Sequence, residues 1–150
     1  MTDVQPPHPD PRPDPRREQA LAIRARILGE TWDAGSRTTP GLEAFTELGI
    51  SNIWCGQWID PTLELRLKSV VTISALIAMR HSGLLGFHVA GALREGLLSA
   101  DEIRGVALHL NPYVGYPTAR DAMVVIDREI TKHEQAADPA ANEAAADRDQ

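Results

Sequence analysis

Apolar residues recur at helical spacing along most of this chain. Between Arg17 and Trp32, for example, Leu21, Ile27 and Leu28 fall on one face of a helix. No stretch alternates apolar and polar residues for long enough to indicate a β-strand. The pattern therefore predicts an all-α protein.

Turn residues and helix caps divide this pattern into six helices. Gly35 to Gly41 forms a turn-rich break, Asp60 and Pro61 resemble a helix start, and Gly83 interrupts the chain again. The sequence from Ser99 to Glu102 has the form of a capping box, which opens a helix. The helices are expected at about 17–32, 42–55, 61–80, 84–94, 99–113 and 118–133.

The two ends of the chain differ in composition from the middle. Residues 1–17 are rich in proline and lack aromatic residues, while residues 135–150 are mostly alanine and acidic residues. Such segments bury too little apolar area to offset the entropy lost on ordering, so both are predicted to be disordered tails. A single helical domain is expected at residues 18–134.

Charge and hydropathy exclude several classes of protein. The formal net charge is −6 and the basic residues form no stripe, which argues against nucleic-acid binding. The longest apolar run, Val70 to Met79, is much shorter than the ~20 residues of a membrane span, and no apolar leader opens the chain. With no membrane contact expected, a soluble, cytoplasmic location is predicted. The only cysteine, Cys55, excludes an internal disulfide or a CxxC pair.

The third predicted helix is apolar on all sides from Val70 onward. A helix of this kind must be covered on every side, and so small a domain offers little cover. We therefore expect a homo-oligomer, in which a second copy of the chain covers part of this helix.

Three consecutive segments carry a family resemblance: LELRLKSVVT at 63–72, FHVAGALREGLLSADEIRGVALHL at 87–110 and NPYVGYPTARDAM at 111–123. Together they resemble the carboxymuconolactone decarboxylase family. The resemblance implies a six-helix bundle of the alkyl hydroperoxidase D-like type that assembles as a trimer or hexamer, with a site near the subunit contacts. It also implies a reaction without a cofactor, since the family archetype decarboxylates 4-carboxymuconolactone to an enol-lactone during the breakdown of aromatic acids.

The chain departs from the family pattern at two positions. Family members often carry a glutamate four residues before the matched histidine, where this chain has Leu84, and an arginine where it has Asp60. The redox branch of the superfamily needs a CxxC pair, which is absent here. These differences bear on the substrate rather than on the fold.

His88 is the leading candidate for a catalytic residue, because it occupies the matched histidine position and has an ordinary pKa of about 6.5. It would return a proton to carbon after CO₂ leaves. Tyr113, in the matched Tyr-Val-Gly-Tyr-Pro turn, would donate to a developing oxyanion. The alternative interpretations are a hydrogen-bonded core histidine and a tyrosine that caps a helix junction.

Five further residues are candidates for substrate binding. Lys68 matches a family arginine and Arg66 a family lysine, so either could bind an anionic group, although both could equally be solvated. Trp54 and Trp58 lie four residues apart and could form a flat apolar wall for a ring, or could simply be core residues. His109 shares a helical face with Tyr113 and could line the same pocket, or be structural.

A metal site is the alternative to these assignments. His81, His88 and His109 could in principle supply three ligands, but Gly83 is expected to break the helix between the first two. No metal is therefore predicted.

The leading hypothesis is a cofactor-independent decarboxylase for a small carboxylated lactone or an aromatic-derived ring compound. The alternatives are a non-catalytic family member that binds a ligand, a biosynthetic tailoring enzyme, and a peroxidase-like enzyme in which Cys55 residues of two subunits meet.

Overall fold

The computed structural model describes residues 14–30, 32 and 41–138, and all regular structure within them is helical. The elements are α1 Pro15–Leu28, α2 Leu42–Gly49, a π-helical segment Ile50–Trp58, α3 Leu65–Ala78, α4 Ser82–Arg94, α5 Ala100–Val114 and α6 Tyr116–Ala137. The predicted all-α fold with six α-helices is thus confirmed. None of the described helices is both long enough and apolar enough to cross a membrane.

Two hydrophobic clusters hold the helices together. The larger one joins α3, α4, α5 and α6 through buried side chains such as Ile73, Val89 and Ile126. The smaller one joins α1 to the π-helical segment. Leu84 and Leu97 pack against both clusters. The two clusters therefore meet beside α4.

Helix α1 is held tightly against α4. A Cβ atom added to Gly91 would lie 1.9 Å from the carbonyl oxygen of Ile27, so only glycine permits this approach. The Arg94 guanidinium donates to the carbonyl oxygen of Arg26, and Arg26 Nε lies 2.6 Å from a carboxylate oxygen of Glu95. These contacts fix the position of α1 along α4.

The second predicted helix contains a change of helix type. Helix α2 ends at Gly49, and the chain continues without a break as the π-helical segment to Trp58, three residues beyond the predicted end at Cys55. Segments of π-helix are rare and occur often at functional sites.

The third helix begins later than predicted. Asp60 caps no helix: its carboxylate accepts from the backbone N–H of Thr62 at 2.8 Å in a turn, and α3 starts at Leu65 after Glu64. Aspartate forms such turns as readily as helix caps, so the local sequence fits both structures.

The break between the third and fourth helices also lies elsewhere. Arg80 has a φ of 59°, and this left-handed residue ends the turn after α3. Gly83, the predicted break, lies inside α4, which starts at Ser82. The capping box that opens α5 is confirmed, since Ser99 and Glu102 each accept a hydrogen bond from the other's backbone N–H.

The outer ends of the domain are longer than expected. Helix α1 starts at Pro15 after the cap Asp14, and α6 reaches Ala137, so residues 15–17 and 135–137 are helical rather than part of the tails. The remainder of both predicted tails, except residues 14 and 138, and most of the Gly35–Gly41 break lie outside the described residues.

One face of α3 is uncovered within the single chain. Leu67, Val71 and Met79 are exposed at intervals of four and eight residues, whereas Ser69 and Ile73 on the opposite face are buried. We call the exposed residues the α3 stripe. The stripe agrees with the expectation that this helix is incompletely covered by its own chain.

Candidate functional site

A cavity of about 580 Å³ lies between α1, α2, the π-helical segment, α3 and α4. Its lining is mostly large and apolar, with side chains from all five elements. The polar side chains among the described lining residues are Arg24, Thr46, Thr72, His88 and the indole N–H groups of three tryptophans. The cavity falls within the ~300–1,000 Å³ typical of ligand pockets.

His88 lies in the wall of this cavity, where α4 places it, and is only 5% exposed. Its Nδ1 atom is buried and has no hydrogen-bond partner among the described residues. Burial lowers the pKa of His88 to about 4, because the imidazolium would lose its hydration there. The side chain is therefore neutral at pH 7, with one ring nitrogen not engaged by the described protein.

The π-helical segment stacks two tryptophan rings beside this histidine. The rings of Trp54 and Trp58 are 4.9 Å apart at an interplanar angle of 28°, and Trp58 in turn lies 5.8 Å from the His88 ring at 27°. Both tryptophans are buried in the smaller hydrophobic cluster and also line the cavity. These two residues therefore belong both to the hydrophobic core and to the wall of the cavity.

Arg24 is a cavity residue that sequence reasoning missed. It lies on α1, and its Cζ atom is 5.4 Å from the centre of the Trp32 ring, a cation–π contact. It is the one lining residue among those described that carries a full charge at neutral pH. A signal existed in the sequence, since Arg24 interrupts the apolar face formed by Leu21 and Leu28.

Lys68 lies in a neighbouring cleft of about 490 Å³ rather than in the cavity that holds His88. Its ammonium group donates to the backbone carbonyls of Trp58, at 2.9 Å, and of Asp60. Trp58 and Thr72 line both spaces and form the partition between them. Lys68 thus caps the end of the π-helical segment at Trp58 and lines the neighbouring cleft.

The remaining predicted residues form a separate group on α3 and α5. Arg66 pairs with Glu102 and shares a third cleft with His109. The rings of His109 and Tyr113 are 5.6 Å apart, as their common face implied, but Tyr113 is 74% exposed and does not line the His88 cavity. The structure therefore brings His88 together with the two tryptophans and not with this group.

Two other expectations concern positions near the cavity. Leu84, at the position of the family glutamate, lines the cavity one helical turn before His88. Cys55 is half-buried and packs against the smaller cluster, outside the cavity lining. The part of the chain that the structure describes contains no group of three His, Cys, Asp or Glu side chains that could hold a metal ion.

Residues 41–128 match the model of the carboxymuconolactone decarboxylase family, which is more than half of the chain. The chain belongs to this family. The matched residues include His88, Trp54 and Trp58, whereas Arg24 lies before them. The resemblance predicted from the sequence is confirmed, together with the alkyl hydroperoxidase D-like superfamily to which carboxymuconolactone decarboxylases belong.

Two curated relatives support the same assignment. The chain is 30% identical over 112 residues to the 4-carboxymuconolactone decarboxylase of Acinetobacter baylyi, covering 72% of this chain and 81% of that protein. It is 29% identical over 119 residues to the nitrosuccinic acid decarboxylase npaB of Metarhizium robertsii, covering 75% of this chain and 80% of that protein. The two relatives are thus named for chemically different carboxylated substrates.

Proposed function

We propose that this protein is a cofactor-independent decarboxylase in which His88 returns a proton to carbon after CO₂ has left. The family and the names of both relatives support a carboxy-lyase. The observation that carries the proposal is the position of His88, buried in the wall of a ligand-sized cavity with Nδ1 unengaged by the described protein.

The proposed substrate is a carboxylated ring or lactone compound in which an electron-withdrawing group lies in conjugation with the departing carboxylate. The substrates named for the two relatives share this chemistry, since a conjugated lactone carbonyl and a nitro group can each accept an electron pair. With such a group in the substrate, the protein needs no electron-accepting cofactor.

The proton balance assigns a task to His88. When the carbon–carbon bond breaks, the electron pair passes into the conjugated acceptor and CO₂ leaves. One carbon of the resulting conjugated anion then takes up a proton. A substrate carboxylate beside His88 favours the imidazolium and so raises its pKa from the value of the empty site. His88 would therefore take a proton from solvent as substrate binds and pass it to carbon after CO₂ is lost.

The apolar walls favour the same direction of reaction. A carboxylate is far better solvated in water than beside tryptophan and isoleucine side chains, whereas CO₂ is uncharged. Charge that spreads into a conjugated system is also less costly in such a site than charge confined to a carboxylate. Trp54 and Trp58 are the residues proposed to provide this environment and to stack on the ring of the substrate.

The test is to supply the purified full chain with 4-carboxymuconolactone, nitrosuccinate and related activated acids in D₂O, and to measure CO₂ release and deuterium in the product. With nitrosuccinate we expect one deuterium at the carbon that lost CO₂. With 4-carboxymuconolactone we expect it at the carbon beside the lactone carbonyl, because the electron pair has moved through the double bond to give the enol-lactone. His88→Gln should lower kcat at least about 10²-fold. His133→Gln, an exposed histidine on α6 outside the cavity, is the matched control and should leave turnover unchanged. Equal turnover by wild type and His88→Gln would overturn the role of His88.

A second candidate function is ligand binding without catalysis. Leu84 lines the cavity where the family glutamate would stand, and no carboxylate appears among the described lining residues. His88 is then the one described lining side chain whose ordinary pKa lies near neutrality. Binding of these acids without release of CO₂ from any of them would favour this second function.

We also propose that the protein is a homo-oligomer, a trimer or a hexamer, in which the α3 stripe is covered by another copy. The support is the exposure of Leu67, Val71 and Met79 along one face of a central helix. Because Val71 also lines the Lys68 cleft, this assembly would place that cleft at a subunit contact. The roles of Lys68, Arg66, His109 and Tyr113 in binding substrate stay predictions for the assembled protein.

A further inference from the structure

We propose that Arg24 is a substrate-recognition residue, which binds an acidic group that the substrate keeps in the product, while the rest of the cavity holds an apolar body. This inference rests on the proposed decarboxylase function and deepens it. It assigns a role to a residue that lies before the part of the chain matched by the family model.

The lining of the cavity decides what body it accepts. Large apolar side chains surround most of the space, among them Trp32, Phe45, Ile50, Ile53, Trp54 and Trp58. A small, fully hydrated acid would leave most of these walls unpaired in a cavity of about 580 Å³, whereas a ring or chain of carbon atoms would bury them. The cavity is therefore suited to a substrate that is larger and less polar than a short-chain diacid.

The positive charge in the cavity lining indicates where the acidic group of that substrate binds. Burying a carboxylate in apolar surroundings without a partner is costly, and among the described lining residues Arg24 offers the permanent positive charge. A guanidinium presents donors in a planar fork that matches the two oxygens of a carboxylate. Its position over the Trp32 ring, 5.4 Å from the centroid, favours one placement of the charge.

The acidic group at Arg24 is one that the reaction does not remove. Only interactions that strengthen toward the transition state accelerate a reaction. A guanidinium bound to the departing carboxylate would stabilise the charge that must disperse as CO₂ leaves. Bound to a retained group, the same contact holds the substrate equally well before and after the bond breaks. The departing carboxylate lies against the tryptophans and His88, whose positive charge, unlike that of Arg24, is given up with the proton that passes to carbon.

The fold fixes Arg24 relative to His88. Ile27 follows Arg24 by three residues on α1, and Gly91 follows His88 by three residues on α4. The close approach of Gly91 to the Ile27 carbonyl therefore holds both functional side chains less than one helical turn from a rigid contact. Because the two helices are fixed in this way, the site should select substrates in which two groups are separated by a suitable distance.

The chain carries its own reporter for the test, because all three of its tryptophans line the cavity. Tryptophan fluorescence will therefore report occupancy of this cavity by an unreactive probe. We suggest phenylbutyrate, its neutral amide phenylbutyramide, and succinate. Wild type is expected to bind phenylbutyrate about tenfold or more tightly than the amide, as a charge-assisted hydrogen bond implies, and more tightly than succinate.

Three variants separate Arg24 from other cations. Arg24→Gln should make phenylbutyrate and its amide bind equally, while Arg24→Lys should restore part of the preference, which also shows that the site folds. Arg17→Gln, which removes an arginine of the same helix outside the cavity lining, should keep the full preference. A preference that persists in Arg24→Gln, that is absent from wild type, or that is lost in Arg17→Gln would overturn the proposal, as would tighter binding of succinate.

A kinetic measurement adds a second readout with any acid that the protein decarboxylates. Arg24→Gln should mainly raise KM, because it removes binding that is equal in ground and transition states, whereas His88→Gln should mainly lower kcat. The probe-binding result does not depend on turnover. A failure of the decarboxylase proposal and a failure of the Arg24 assignment are therefore distinguishable.

Discussion

Burial holds the pKa of His88 at about 4, and this single side chain links the stability of the protein to pH. In the unfolded chain the imidazole is hydrated and takes a proton at its ordinary pKa of about 6.5. In the folded protein the neutral form is favoured, because the charged form would be buried in an apolar wall. Between these two pKa values the unfolded state binds more protons than the native state.

The free energy of unfolding should therefore fall as pH decreases from about 6.5 to about 4, and this contribution should level off below that. The loss from His88 alone is on the order of 3 kcal/mol, from the size of the pKa shift. Urea unfolding of wild type and His88→Leu at several pH values measures it as the difference between the two. If both proteins show the same pH dependence, His88 is not buried in its neutral form.

The same pKa governs activity in the opposite direction. The pH dependence of kcat/KM reports the pKa of His88 in the free enzyme. If the imidazolium donates the proton, kcat/KM should therefore fall as pH rises above about 4. The fall in kcat should come at higher pH, because a bound carboxylate raises the pKa of His88 in the complex. Steady-state rates across this range test the prediction, and coincident profiles for kcat and kcat/KM would contradict it.

The sequence motif and the helical spacing predict some of the residues that line the cavity and not others. His88 and the two tryptophans were found from the matched motif and from a spacing that a helix brings to one side. Arg24 was missed because α1 precedes that motif, and only the packing of α1 on α4 brings it to the cavity. Lys68 matched the motif, yet its direction depends on two backbone carbonyls that only the folded chain supplies.

At the scale of helices and their contacts, the approach of α1 to α4 controls the shape of the cavity. Gly91→Ala would place a Cβ atom 1.9 Å from the Ile27 carbonyl oxygen, so α1 must move away. We expect a loss of about 1–3 kcal/mol or more in the free energy of unfolding. Binding of phenylbutyrate should weaken as well, since Arg24 moves with α1.

The matched control is Gly83→Ala on the same helix, where an added Cβ atom meets nothing within 4 Å. Alanine there should be neutral or stabilise the protein by up to about 1 kcal/mol, because it restricts the unfolded chain. Denaturant unfolding of the two variants side by side provides the measurement. Equal effects from the two substitutions would show that α1 does not lie as described.

The element boundaries show what local sequence can and cannot predict. The Ser99–Glu102 capping box was correct because its two hydrogen bonds join residues three apart, so the pattern contains the whole structure. The change from α2 to a π-helical segment was not predicted, because residue preferences hardly separate the two helix types and the stacking of Trp54 and Trp58 against His88 is a tertiary contact. The break at Arg80 likewise depends on a left-handed backbone that arginine adopts uncommonly.

For the whole molecule, the α3 stripe is the surface proposed to meet another copy of the chain. Val71 and Val124 are both 59% exposed, but Val71 belongs to the α3 stripe and Val124 lies on α6 among charged neighbours. Val71→Glu should shift the protein toward the monomer, because the assembly would remove a carboxylate from water at an apolar contact. Val124→Glu should leave the mass of the oligomer in solution unchanged.

Light scattering coupled to size-exclusion chromatography measures both variants directly. An oligomer that survives Val71→Glu but dissociates with Val124→Glu would place the interface on α6 instead of α3. Activity measured on the same fractions shows whether the cavity needs the second copy.

Helix α2 buries none of its eight residues, although Leu42 and Phe45 line the cavity, and Phe45 is 73% exposed. Detaching such a helix sacrifices little packing, so its amide protons should exchange with solvent well before those of α4 and α6. Ligands can then enter the cavity past α2 at a low cost in free energy. In that case, the rate at which α2 detaches and repacks limits how fast bulky molecules enter and products leave. The width of any permanent opening matters less.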